Sequence, residues 1–132
     1  MRLWHEKLIP YLPRQQLLGQ HRECCALRGN GWGKRHSVVN YVFEYTPEQL
    51  FRYHEAIMEE MQKRGYNVDS AWKDPHYRGK ICEPHNQESF KSGKMAIPGV
   101  RFYAEHTEDY LDECIQNLSE KGINIEFDEE EK

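Results

Sequence analysis

The sequence predicts a mainly α-helical single domain, and three observations carry that expectation. Three segments repeat apolar residues at helical spacing, residues that start or stop helices bound each of them, and glycine and proline collect in the stretches between. The first helix is expected from Pro13, suited to an opening turn, to Arg28, with Gly29 as its stop. The second is the clearest. Thr46-Pro47-Glu48-Gln49 reads as a capping box with proline at the first helical position. Leu50, Tyr53, His54, Ile57, Met58 and Met61 then share one stripe, and Gly65 closes the helix. The third is expected from about Thr107 to Gly122, with Tyr110, Leu111, Cys114, Ile115 and Leu118 on one side. Helices two and three end alike, in "KRGYNV" and "EKGINI", which reads as one C-cap device used twice.

Between the helices lie a basic glycine-rich loop, "GNGWGKRH" (29–36), and a long irregular stretch (66–106) holding Pro75, Pro84 and Pro98. The segment "SVVNYVF" (37–43) fits either an extended piece or a short helix. Loops this long for the chain's size are often functional. One domain is expected over residues 1–125, followed by an acidic tail at 126–132.

Composition narrows the class. At 132 residues the chain can bury a core without staples, and 38% hydrophobic with 30% charged residues describes a folded, polar protein. It has no apolar run of about 18 residues, so no membrane span is expected. The opening "MRLWHEKLIPYLP" has no continuous apolar core for a signal peptide. Cys24, Cys25, Cys82 and Cys114 form no CxxC pair, which fits a reduced, cytoplasmic protein. The net charge of −4 conceals an asymmetry: residues 1–36 carry seven Lys/Arg against two Glu, and residues 37–132 carry eleven against twenty. An acidic total disfavours nucleic-acid binding in general, but a basic first third can still make a local patch.

Candidate chemistry falls in three places. His76 and His85 flank Cys82 in a loop, yet no zinc-type spacing occurs, so neither a metal nor another cofactor is expected. In the glycine loop, Trp32, Lys34, Arg35 and His36 are ingredients for clamping a nucleic-acid backbone and wedging at a base, or simply a basic loop. Trp4 is an alternative wedge, better read as core. The third place is Arg22-Glu23 in the first helix. Gly19 stands one turn before Glu23 and costs about 1 kcal/mol of helix propensity against alanine, which makes sense if something approaches the helix there. The other reading is an intrahelical charge pair on a wet face.

"QLLGQHRE", a second helix ending in "KRGYN", and then "YRGK…PH" together resemble the phage pyrimidine-dimer DNA glycosylase (endonuclease V-like) family, in register over residues 1–85 and more loosely in the last helix. The resemblance implies an all-α fold of three main helices with long irregular loops. It implies a DNA-repair glycosylase with abasic-site lyase activity on damaged pyrimidines in double-stranded DNA, working as a monomer through an imine to the N-terminal amine. An α-amine ordinarily titrates near pH 8, so part of it is neutral at physiological pH. By position Glu23 matches the catalytic glutamate, and Arg22 and Arg2 match arginines beside the DNA. Lys34, Arg35 and His36 fall near the DNA, and Arg78 matches the arginine of the "RG" segment. Family members expose a threonine behind a removed methionine, whereas Arg2 blocks such removal here and leaves the amine to Met1. Gln16 stands where the family has a histidine, and Ala26 where it has a further arginine. A non-catalytic nucleic-acid-binding domain of the same fold and a protein-interaction module remain the alternatives.

Overall fold

The computed structural model describes residues 2–29 and 39–127. Among these, four α-helices and three 3-10 segments account for the regular structure, with no strand. An extended arm (residues 2–5) leads into a 3-10 segment, Glu6–Tyr11, and then α1, Arg14–Arg28. A second 3-10 segment, Asn40–Glu44, settles the described part of the ambiguous stretch and precedes α2, Pro47–Lys63. Ser70–Lys73 is a third such turn, α3 is the single turn Gln87–Phe90, and α4 spans Glu108–Glu120.

The helix ends follow the local chemistry. Thr46 accepts from the Gln49 N–H, and Thr107 does the same for Tyr110, so each satisfies an otherwise orphaned amide. The two like-sounding endings are the same Schellman cap. Gly65 and Gly122 adopt φ of +85° and +84°. The following Tyr66 and Ile123 amides reach back 2.9 Å to Met61 and Leu118, and both side chains then pack on the core.

The core forms where α1 and α2 pack together and α4 closes over the arm. Leu17, Cys24 and Leu27 of α1 meet Leu50, Tyr53, Ile57 and Met61 of α2, with Leu111, Cys114 and Leu118 of α4 and Leu3, Trp4 and Leu8 of the first segment. Trp4 is core, as its apolar neighbours suggest. A smaller cluster of Phe51, Met58 and Phe90 lies beneath Trp72.

The irregular stretch is held by polar side chains from the helices, because its backbone has few partners of its own. Gln49 donates to the Phe102 carbonyl at 2.7 Å. A lone parallel bridge joins Tyr45 to Lys94, where Gly93, at φ +129°, runs so close that a Cβ would sit 2.7 Å from the Tyr45 carbonyl. No helix among the described residues is long and apolar enough to cross a membrane.

Candidate active site

Three successive main-chain carbonyls of the arm are each captured by a side chain from a different helix. Gln20 of α1 donates to Arg2 O at 3.1 Å, Tyr110 of α4 to Leu3 O at 2.6 Å, and Tyr53 of α2 to Trp4 O at 2.6 Å. Gln20 also accepts from the Trp4 N–H at 2.7 Å, and it is 2% exposed. The Arg2 guanidinium lies 5.9 Å above both the Trp4 and Tyr110 rings and reaches Glu113 at 3.4 Å. Beneath the arm's exit, His106 Nδ1 meets Glu6 at 3.0 Å and its Nε2 meets the Tyr41 hydroxyl at 2.7 Å. Burial alone would raise the Glu6 pKa, but the His106 hydrogen bond and the nearby histidines outweigh it and hold it low.

Glu23 follows Gln20 by one helical turn on the same face of α1. Its Oε2 is buried and has no hydrogen-bond partner among the described residues. An acceptor left in that state is costly and waits for a donor or a positive charge. Arg22, beside it in sequence, is exposed. The space that Gly19 leaves open is approached by the Arg22 guanidinium, 3.7 Å from where a Cβ would stand.

Arg78 lies elsewhere and does something definite. Its Nε donates to the Arg28 carbonyl at 2.9 Å and its Nη2 to Gly29 at 3.2 Å, so it caps the C-terminus of α1. Met1, Trp32, Lys34, Arg35 and His36 lie outside the described residues. The arm therefore brings the main chain of Arg2 to Gln20, one turn before Glu23, while Arg78 sits at the C-terminal end of that helix.

A second polar cluster escaped the sequence reading. Arg28, 4% exposed, donates to the carbonyls of Trp72, Asp74 and Tyr77 and to His54 Nδ1 at 3.0 Å. Its guanidinium sits over the rings of Phe51 and Trp72, and burial brings its pKa down to about 10. His54 Nδ1 must therefore accept, which leaves the proton on Nε2, and that proton goes to His21 Nδ1 at 2.8 Å. The remaining His21 N–H faces Cys25 Sγ at 3.8 Å. Burial pushes the Cys25 thiol up to about 11.

His21, Cys25 and His54 offer three ligand atoms within 4.8 Å of one another. The 2.8 Å nitrogen–nitrogen contact is nevertheless a hydrogen bond, since two nitrogens on one tetrahedral zinc stay about 3.3 Å apart. A metal on His54 Nε2 would also require a proton on Nδ1, where Arg28 already donates. The cluster is built as a hydrogen-bonded row with fixed tautomers. The signal available in sequence was His54 itself, a histidine in an otherwise apolar stripe.

The fold and site define a helical protein in which residues 2–4 are pinned against a helix carrying a buried carboxylate oxygen with no partner among the described residues. A family model described as pyrimidine dimer DNA glycosylase matches residues 1–74, more than half of the chain, and the chain belongs to that family. No curated protein and no solved structure matches it. The matched span contains the arm, α1 and α2; Arg78 and α4 lie beyond it.

Proposed function

We propose that this chain is a DNA glycosylase with abasic-site lyase activity on damaged pyrimidines, with the α-amine of Met1 as nucleophile and Glu23 as the catalytic carboxylate. The observation that carries the reading is the buried Glu23 Oε2, without a partner among the described residues, one turn from the residue that grips Arg2. Chain connectivity keeps the nitrogen of Met1 within about 7 Å of the gripped Arg2 carbonyl carbon, since two residues span no more than that.

In this reading the neutral amine attacks C1′ of the damaged nucleotide. The glycosidic bond breaks, its electron pair leaves with the base, and the base is protonated. The attacking nitrogen loses a proton, the sugar ring opens, and an imine joins the protein to C1′. The Glu23 carboxylate stabilises positive charge at C1′ and on the protonated imine. It then accepts the C2′ proton, the C3′–O bond breaks with its electron pair on the 3′ oxygen, and the strand is cut by β-elimination. Arg22, exposed on the same helix, and Arg2 supply phosphate contacts, with Lys34, Arg35 and His36 beside them and Trp32 as the wedge. The acidic total charge confines the DNA to this basic first third of the chain.

The test is imine trapping. The protein is incubated with duplex DNA carrying one abasic site, borohydride is added, and the adduct is located by mass spectrometry. An adduct on Met1 that N-terminal acetylation abolishes and Glu23→Gln suppresses is expected. Intact DNA binding without any adduct would instead favour a binding domain of the same fold.

A further inference from the structure

We infer that Gln20 is the positioning residue of this chemistry: its buried amide sets where the residue ahead of Arg2 places its nitrogen relative to Glu23. The inference rests on the reading of Met1 as nucleophile and goes beyond it by naming what aims that amine. Both ends of the Gln20 amide engage one short segment, Oε1 the Trp4 N–H and Nε2 the Arg2 carbonyl, and Oε1 also lies 3.1 Å from the hydroxyl of Tyr53, which itself holds the Trp4 carbonyl. A backbone N–H only donates and a carbonyl only accepts, so these partners fix which way the amide faces.

Two contacts two residues apart fix the direction of the arm as well as its place. A single hydrogen bond would let the segment pivot around it. Gln20 shares its helix with Glu23, about 4.5 Å further along the axis, so grip and carboxylate ride on one rigid turn. Of the other buried side chains of α1, Leu17, Cys24 and Leu27 are apolar and Arg28 at the helix end is held by its own set of carbonyls, so packing alone would be served by an apolar residue at position 20 as well. A glutamine there is explained by the main chain that it holds.

The experiment compares the wild type with Gln20→Met, a near-isostere without polar atoms, and with Arg64→Met. Arg64 anchors the carbonyls of Leu12, Ile9 and Pro10 and makes none of the hydrogen bonds that hold residues 2–4, so its loss controls for stability. Each protein is scored for single-turnover borohydride trapping on abasic duplex, for Kd on a duplex with a tetrahydrofuran abasic analogue that cannot form an imine, and for Tm. Gln20→Met is expected to trap at least about 30-fold more slowly, as a misaimed nucleophile does, with Kd changed by less than about twofold. Arg64→Met is expected to trap at the wild-type rate. Should Gln20→Met unfold at the assay temperature, Gln20→Asn keeps a neutral amide one methylene too short to hold both partners and is expected to trap more than about tenfold more slowly.

Equal trapping by wild type and the Gln20 variants overturns the positioning role alone. So does a slowing that Arg64→Met reproduces. A wild type that forms no adduct on Met1 overturns the proposed function, and this inference falls with it.

Discussion

His54 donates from Nε2 to Nδ1 of His21 across 2.8 Å, and Arg28, donating to the other side of His54, decides that direction. Both histidines must be neutral for the row to stand. Burial lowers both pKa values, with Arg28 adding to it at His54 and Arg22 and Arg28 at His21.

That lowering fixes the sign of a pH dependence. The unfolded chain takes up protons on these histidines near pH 6.5, whereas the folded chain resists, so the stabilisation is complete above about 6.5 and is lost as pH falls toward the depressed folded values. Fully buried His54 contributes a slope of up to about 1.4 kcal/mol per pH unit in that window. Urea unfolding between pH 7.5 and 5 is expected to show it, and His54→Phe to flatten it. An unchanged slope in that variant would remove His54 from the account.

Glu23 is expected to be a stability liability. A carboxylate oxygen buried with no partner among the described residues is a cost to the fold, so Glu23→Gln should raise stability, by no more than about 1 kcal/mol because the residue is partly exposed. Thermal unfolding of the variant beside the trapping assay reads both sides. A Glu23→Gln protein that is markedly less stable would mean that the carboxylate is structural.

Arg78 and Arg22 are expected to separate cleanly. Arg78 spends its donors on the last carbonyls of α1, so Arg78→Met should cost about 1–2 kcal/mol and leave the salt dependence of DNA binding unchanged. Exposed Arg22→Met should hold its stability and reduce the slope of log K against log salt by about 1. The reverse pattern would move the DNA to the other end of α1.

Two glycines with positive φ give a contrast free of function. At Gly65 nothing lies within 4 Å of an added Cβ, so Gly65→Ala should cost about 1 kcal/mol, the left-handed backbone term alone. At Gly93 the added atom meets Tyr45 C and O at 2.7 Å and Thr46 N at 2.9 Å, all of them backbone, so Gly93→Ala should cost more than about 2 kcal/mol. Denaturant midpoints of the pair decide it.

What was legible in the sequence was what is local. Thr46, Thr107, Gly65 and Gly122 announce helix ends because each partner lies within a few residues. Glu23 stood out through the order of motifs around it. The Gln20 grip did not, since its partners are main-chain atoms 16 and 18 residues away, which no side-chain pattern encodes. Arg28 read as a basic residue at a helix end, which it is. Its burial follows from carbonyls 44 to 49 residues further on, on a stretch whose glycines and prolines promised only irregular backbone. His54 looked like one more member of an apolar stripe because its two polar edges are filled by α1.

The seat of residues 2–4 also ties the arm to the assembly of the whole core. Leu3, Trp4 and Arg2 each surrender a carbonyl to a different helix, and those helices begin at residues 108, 47 and 14. The seat therefore exists only after all three have docked, whatever the sequence of their docking. A chain with any one of these helices still loose lacks part of the seat for residues 2–4.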